Sequence, residues 1–167
     1  ADLGLACWKR LALHPTEPGT LLAADREGRL IRSTDAAETW TSMSLEPLSD
    51  VLFAGSHPVP LVAAGNTRVF RSDDLGVTWE ATGPEFPSPL TRLAVHPEES
   101  GWLFVGTEGA GVYQSRDGGE TWFPLNLGLE DTNVLTLAVG SETLYAGTQS
   151  RGVFSFPLRR ARRQDFR

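Results

Sequence analysis

An eight-residue pattern that occurs three times commits this chain to a repeat architecture. Ser115-Arg116-Asp117-Gly118-Gly119-Glu120-Thr121-Trp122 is matched by Ser72-Asp73-Asp74-Leu75-Gly76-Val77-Thr78-Trp79. A third copy, Ser33-Thr34-Asp35-Ala36-Ala37-Glu38-Thr39-Trp40, has Ala37 in place of the Gly. The chemistry of Ser-x-Asp-x-Gly-x-Thr-Trp is local. A short Asp accepts hydrogen bonds from backbone N–H groups just ahead of it and holds a tight turn. The Gly supplies a positive φ at little steric cost, so Ala37 is expected to strain the first turn. The Ser and Thr hydroxyls satisfy other turn groups. The Trp is too large to leave in water and packs sideways on a neighbouring element. Each box (Asp35 with Trp40, Asp74 with Trp79, Asp117 with Trp122) therefore reads as a clip between two strands, ending in a hydrophobic anchor.

The flanking segments repeat as well. Ala23-Ala24, Ala64-Gly65, Val105-Gly106 and Ala146-Gly147 fall at a constant spacing of 41. An apolar pair follows each: Leu30-Ile31, Val69-Phe70, Val112-Tyr113, Val153-Phe154. Another apolar run precedes each: 11–13, 51–53, 93–95 and 137–139. Short runs of Val, Leu, Phe and Ala bounded by Gly and Pro read as strands. A period of about 40 residues with four strands per unit is the pattern of a β-propeller. The first strands are expected near 10–14, 50–54, 91–95 and 134–139, and the second near 20–24, 60–64, 102–106 and 143–147. The third are expected near 29–33, 68–72, 111–115 and 152–156, and the fourth near 39–43, 78–82 and 121–125.

The expected fold is all-β, a propeller of four blades at 10–48, 49–89, 90–131 and 132–158, with a basic tail at 159–167. The fourth unit lacks its box and fourth strand. An open strand edge needs cover, and the segment from Leu3 to Trp8 is the candidate. A ring closed within one chain is the first expectation. Half of an eight-bladed ring of two chains, or a piece of a longer, seven-bladed protein, are the alternatives.

The boxes resemble those of the Asp-box, or bacterial neuraminidase repeat, family. In that family each repeat is a four-stranded propeller blade and the box joins its third and fourth strands. The resemblance covers nearly the whole chain. The family includes sialidases and xyloglucan hydrolases, and also non-enzymatic relatives such as photosystem II assembly factors and sortilin-type receptors. Since its members are mostly exported, the resemblance implies a periplasmic or extracellular protein, and a chain that opens on Ala1 fits a processed N-terminus.

Composition narrows the partners. The net charge is −6, although the tail holds Arg159, Arg160, Arg162, Arg163 and Arg167 against Asp165. An acidic body disfavours nucleic acid. The basic tail is a solvated terminus or a contact for an anionic surface. Cys7 stands alone and reads as a small hydrophobe rather than a reactive thiol. No apolar run approaches the ~18 residues of a membrane helix.

His14, His57 and His96 each precede Pro in equivalent places. Ring symmetry would spread them apart, whereas a metal ion needs ligands within about 2 Å of itself. They read as recurring turns. The box aspartates offer one or two carboxylates per loop, too few for calcium, which takes six to eight oxygens. No metal or cofactor is expected. The sialidase resemblance implies three arginines, a Tyr–Glu pair and an acid/base Asp. Arg29, Arg68 and Arg151 share the loops between second and third strands, where Glu108 also lies. Tyr113 and Tyr145 fall inside strands, away from them. Arg29, Arg68, Glu108 and Arg151 are the candidate binding residues, on the face formed by loops 25–29, 66–68, 107–111 and 148–152 with the inter-blade loops 44–50, 83–91 and 126–132. The expected function is a non-catalytic protein-interaction or structural module, alone, as a homodimer or in a larger assembly. A glycan-binding or sialidase-like domain is the alternative.

Overall fold

The structure, a computed structural model, describes residues 8–25, 27–43, 47–54, 60–99 and 101–158. Among the described residues, fifteen strands form four antiparallel sheets in chain order. The first holds β1 (Trp8–Leu13), β2 (Leu21–Asp25), β3 (Leu30–Ser33) and β4 (Thr41–Met43). The second holds β5 (Asp50–Phe53), β6 (Leu61–Ala64), β7 (Val69–Ser72) and β8 (Glu80–Thr82). The third holds β9 (Leu90–Val95), β10 (Leu103–Thr107), β11 (Val112–Ser115) and β12 (Phe123–Pro124). The fourth holds β13 (Val134–Val139), β14 (Thr143–Thr148) and β15 (Val153–Pro157), with no fourth strand among the described residues. Each sheet is a simple meander, in which strands adjacent in sequence are paired. Among the described residues no helix is long and apolar enough to cross a membrane.

The sheets stack face to face along the chain. β1 packs on β5, β5 and β6 on β9, and β9 and β10 on β13. Each sheet thus has a front, turned to the sheet before it, and a back, turned to the sheet after it. Leu22, Ala24 and Leu30 on the first back meet Val51, Leu61 and Ala63 on the second front. Val62, Ala64 and Val69 meet Leu93, Leu103 and Val105. Phe104 and Val112 meet Leu144, Ala146 and Phe156. Both faces of an inner sheet are covered at its second strand, so β6 and β10 are buried at every position and are nearly continuous apolar runs instead of alternating. Each fully buried Val, Leu or Phe contributes about 1.5–3 kcal/mol. The third interface is close enough that a Cβ on Gly106 would lie 2.7 Å from Val134 Cγ1.

Two expectations need correction. The constant spacing of 41 aligns Ala64 with Ala23, but the register pairs Leu11 with Ala23 and Val51 with Ala63. Ala63 is the counterpart of Ala23, and Ala64 faces the other way, since a one-residue slip in a strand exchanges its faces. Trp8, assigned to a strand closing the last blade, pairs with Asp25 inside the first sheet. The rest of that segment, with Cys7, lies outside the described residues, as do His57 and the tail. Among the described residues no packing comparable to the three interfaces returns from the fourth sheet to the first.

Candidate functional site

The three boxes build one hydrogen-bond pattern. The Ser hydroxyl donates to the Asp: Ser33 to Asp35 at 2.8 Å, Ser72 to Asp74 at 2.8 Å, Ser115 to Asp117 at 2.7 Å. It also accepts the fifth residue's N–H, from Ala37 at 2.9 Å, Gly76 at 2.8 Å and Gly119 at 2.9 Å. The Asp carboxylate takes both the backbone N–H and the hydroxyl of Thr39, Thr78 or Thr121. The Thr hydroxyl bond is the largest of the influences that hold Asp35, Asp74 and Asp117 down to about 2, from an ordinary 3.8. The carboxylates are thus consumed by their own turns. Ala37 adopts φ 72° and Ala36 φ 57°, so the first turn carries two alanines in the left-handed region. The second carries Leu75 with Gly76 and the third Gly118 with Gly119. The strain at Ala37 follows from the sequence; that the preceding position is also left-handed does not.

The anchors pack backwards. Trp79 lies with Met43 of the first sheet, and its Nε1–H donates to Gly76 O at 3.0 Å. Trp122 packs on Phe86, which follows the second sheet, with ring centroids 5.5 Å apart. Trp40 has Trp8, Leu11 and Ala23 of its own sheet beside it, along a cleft of about 270 Å³.

The histidines close turns. His14 Nδ1 accepts Glu17 N–H and His96 Nδ1 accepts Glu99 N–H, both at 3.0 Å. His14 meets Phe53 edge-on, and His96 stacks on Trp102 at 4.8 Å. An open cleft of about 460 Å³ runs where β1, β5 and β9 converge, with Phe53, Val95 and His96 on its wall.

The predicted loops gather on one side and brace one another. Leu48 N–H donates to Gly28 O, Phe86 N–H to Thr67 O, Gly109 N–H to Thr132 O and Gln149 N–H to Asn133 O. Each of these bonds joins a loop between second and third strands to an inter-blade loop. The candidate arginines project from this face, each beside a local carboxylate. Arg29 Nε lies 2.6 Å from Asp25, Arg68 3.2 Å from Glu85 and Arg151 3.9 Å from Glu130. Glu108 is exposed and bridges to Asn133 through its backbone. Tyr113 packs on Phe86, inside the second interface, and Tyr145 lies on the back of the fourth sheet.

Sequence reasoning missed two loop carboxylates. Burial alone would raise Asp25, but bonds from the backbone and guanidinium of Arg29 outweigh it and leave its pKa lowered. Asp131 is lowered by the backbone N–H of Asn133 and by Ser150, which donates both N–H and hydroxyl at 2.7 Å. The signal was present: Asp two residues before a turn amide is the pattern of an Asx turn.

No family model matches the chain. It is 35% identical over 94 residues to the Bacillus subtilis (strain 168) "Uncharacterized protein YkuO", covering 53% of this chain and 30% of that one. It is 27% identical over 90 residues to the vacuolar protein sorting/targeting protein 10 of Sordaria macrospora, covering 54% of this chain and 6% of that one. The chain therefore spans less than a third of these relatives' lengths. Among solved structures, an ancestral GH74 enzyme superposes at TM-score 0.71 with 14% identity, over 90% of this chain and 22% of that one. YCF48 bound to D1 peptide superposes at TM-score 0.65 with 14% identity, over 89% of this chain and 49% of that one. At such identities the likeness speaks for architecture alone: the four sheets are stacked as the blades of a β-propeller.

Proposed function

We propose that this chain is a non-catalytic interaction module whose braced loop face receives a protein partner. The observation that carries the reading is the bracing itself. Backbone bonds between loops of neighbouring segments hold Arg68, Glu108 and Arg151 on a rigid frame, so little ordering entropy is lost when a partner docks. A structure of similar fold, YCF48, is bound to a peptide, which is in keeping with a propeller as a protein platform. The turn chemistry supports assigning the three clips to the Asp-box type, with Asp35, Asp74 and Asp117 as turn formers.

The test is capture of a partner from the source organism, followed by Arg68→Glu, Arg151→Glu and Glu108→Lys. Loss of capture with unchanged thermal stability is expected. Capture that no loop change alters overturns the reading. The glycosidase alternative draws on the likeness to GH74 enzymes. A sialidase-like reaction at the loop arginines would need a Tyr nucleophile near Arg29, Arg68 and Arg151, and both tyrosines lie in sheets. Hydrolysis of a sialoside or a xyloglucan by the purified chain would establish it against the module reading. A periplasmic or extracellular location, with the tail touching an anionic surface, belongs to the same proposal, and fractionation of the source cells tests it.

A further inference from the structure

Among the described residues, the outer faces of the first and fourth sheets are the two halves of the interface that the stack makes three times. Leu22, Val62, Phe104 and Tyr145 occupy equivalent back positions, paired with Arg32, Arg71, Gln114 and Ser155 on the next strand. The first three are at most 1% exposed, but Tyr145 is 46% exposed. Leu30, Val69, Val112 and Val153 are likewise equivalent, and the first three are at most 1% exposed while Val153 is 71% exposed. At the opposite end, Leu11 corresponds to Val51 and Leu93 on the fronts of the following sheets. Val51 is 1% and Leu93 4% exposed, whereas Leu11 is 61% exposed. Leu13, the counterpart of Phe53, is 63% exposed. Trp40 stands on this front as Trp79 stands on the second, but no sheet precedes it among the described residues.

We infer that a second copy of this chain covers both ends, the back of each fourth sheet meeting the front of the other copy's first sheet. Each inner interface is a back-to-front contact between sheets of one kind, so the occupant that fits the bare back is a front of the same type, and the molecule carries one. Leu11 and Leu13 on one face and Tyr145 and Val153 on the other supply the exposed apolar area, as a buried blade interface requires, with Thr136 and Ser155 beside Tyr145 and Val153. Because the two faces are different patches, the contact is heterologous, and two copies close it into a ring with two identical joints. Trp40 of each copy then packs on the other copy's fourth sheet, as Trp79 packs on the first.

The experiment is light scattering on the whole chain. Wild type is expected at twice 18.2 kDa. A front variant (Leu11→Glu with Leu13→Glu) and a back variant (Tyr145→Lys with Val153→Glu) are each expected at 18.2 kDa. Circular dichroism matching wild type and a cooperative thermal melt show that they fold. Mixing the two variants is expected to restore a dimer, because the mixed pair keeps one joint in which both faces are wild type. A monomeric wild type overturns the inference. So does an open-ended series of larger oligomers, or a dimer that mixing fails to restore, which would mean that like faces meet like.

Discussion

The guanidinium of Arg10 on the first sheet binds the fully buried carboxylate of Asp50 on the second, and the same carboxylate takes Leu93 N–H of the third sheet at 3.0 Å. One side chain therefore ties three blades together at their inner strands. Asp50 also accepts its neighbour Val51 N–H at 2.8 Å, and Arg92 stands 4.0 Å away. Removing one member of a buried pair leaves the other uncompensated. Asp50→Ala is expected to cost about 3–5 kcal/mol, read by urea unfolding. A loss below about 1 kcal/mol, the scale of a surface pair, would show that the carboxylate does not join the blades.

The first box offers a gain. Ala37 sits at φ 72°, where Gly76 and Gly119 serve in the other two. A left-handed conformation costs an L-residue about 1–2 kcal/mol, and part of the relief is offset by the freer unfolded chain that Gly gives. Ala37→Gly is expected to stabilise by about 0.5–1 kcal/mol. Gly119→Ala is expected to destabilise, since the added Cβ would press to 3.2 Å from Thr82 Cγ2. Thermal melts of the two variants should move in opposite directions.

Acid should open the boxes. Asp35, Asp74 and Asp117 have folded pKa values of about 2 against 3.8 unfolded. Groups whose pKa is depressed by folding stabilise the protein above the unfolded value, and that contribution disappears as pH falls through the folded one. Stability should therefore be level above pH ~4 and decline between pH ~4 and ~2. Thr121→Val removes the first cause of the shift at Asp117, so its carboxyl should titrate higher, measured by carbon NMR of the aspartates.

The loop arginines should behave as surface groups. Arg68 and Glu85 are both exposed and 3.2 Å apart. Exposed pairs contribute about 0–1 kcal/mol, so Arg68→Glu should leave the melting temperature within a few degrees of wild type. A large drop would instead make Arg68 a structural brace and remove it from the proposed docking face.

The repeat carried most of the architecture. Strand positions, the box turns, the His-Pro turns at His14 and His96, and the shared loop face all follow from local rules, since a turn needs only its own residues and a strand its own pattern. Asp25 and Asp131 were legible in kind but were passed over, because nothing in a lone Asp says which of several nearby amides it will meet. The pairing of Arg29, Arg68 and Arg151 with Asp25, Glu85 and Glu130 was not legible, as the last two partners lie 17 and 21 residues away in sequence and meet only when two loops fold to one side.

By itself, the sequence determined the unit: short apolar strands, separated by turns whose chemistry is spelled out within eight residues. Only the tertiary structure decided which alanine, Ala63 or Ala64, faces which neighbour, because a single-residue irregularity between repeats is small in the chain yet reverses a strand's faces. It also decided that Leu11, Tyr145 and Val153 stand exposed while their counterparts in the inner sheets are buried. Burial is a property of what lies across a face, and equivalent strand positions such as Leu30, Val69, Val112 and Val153 are apolar whether or not a neighbouring sheet is present.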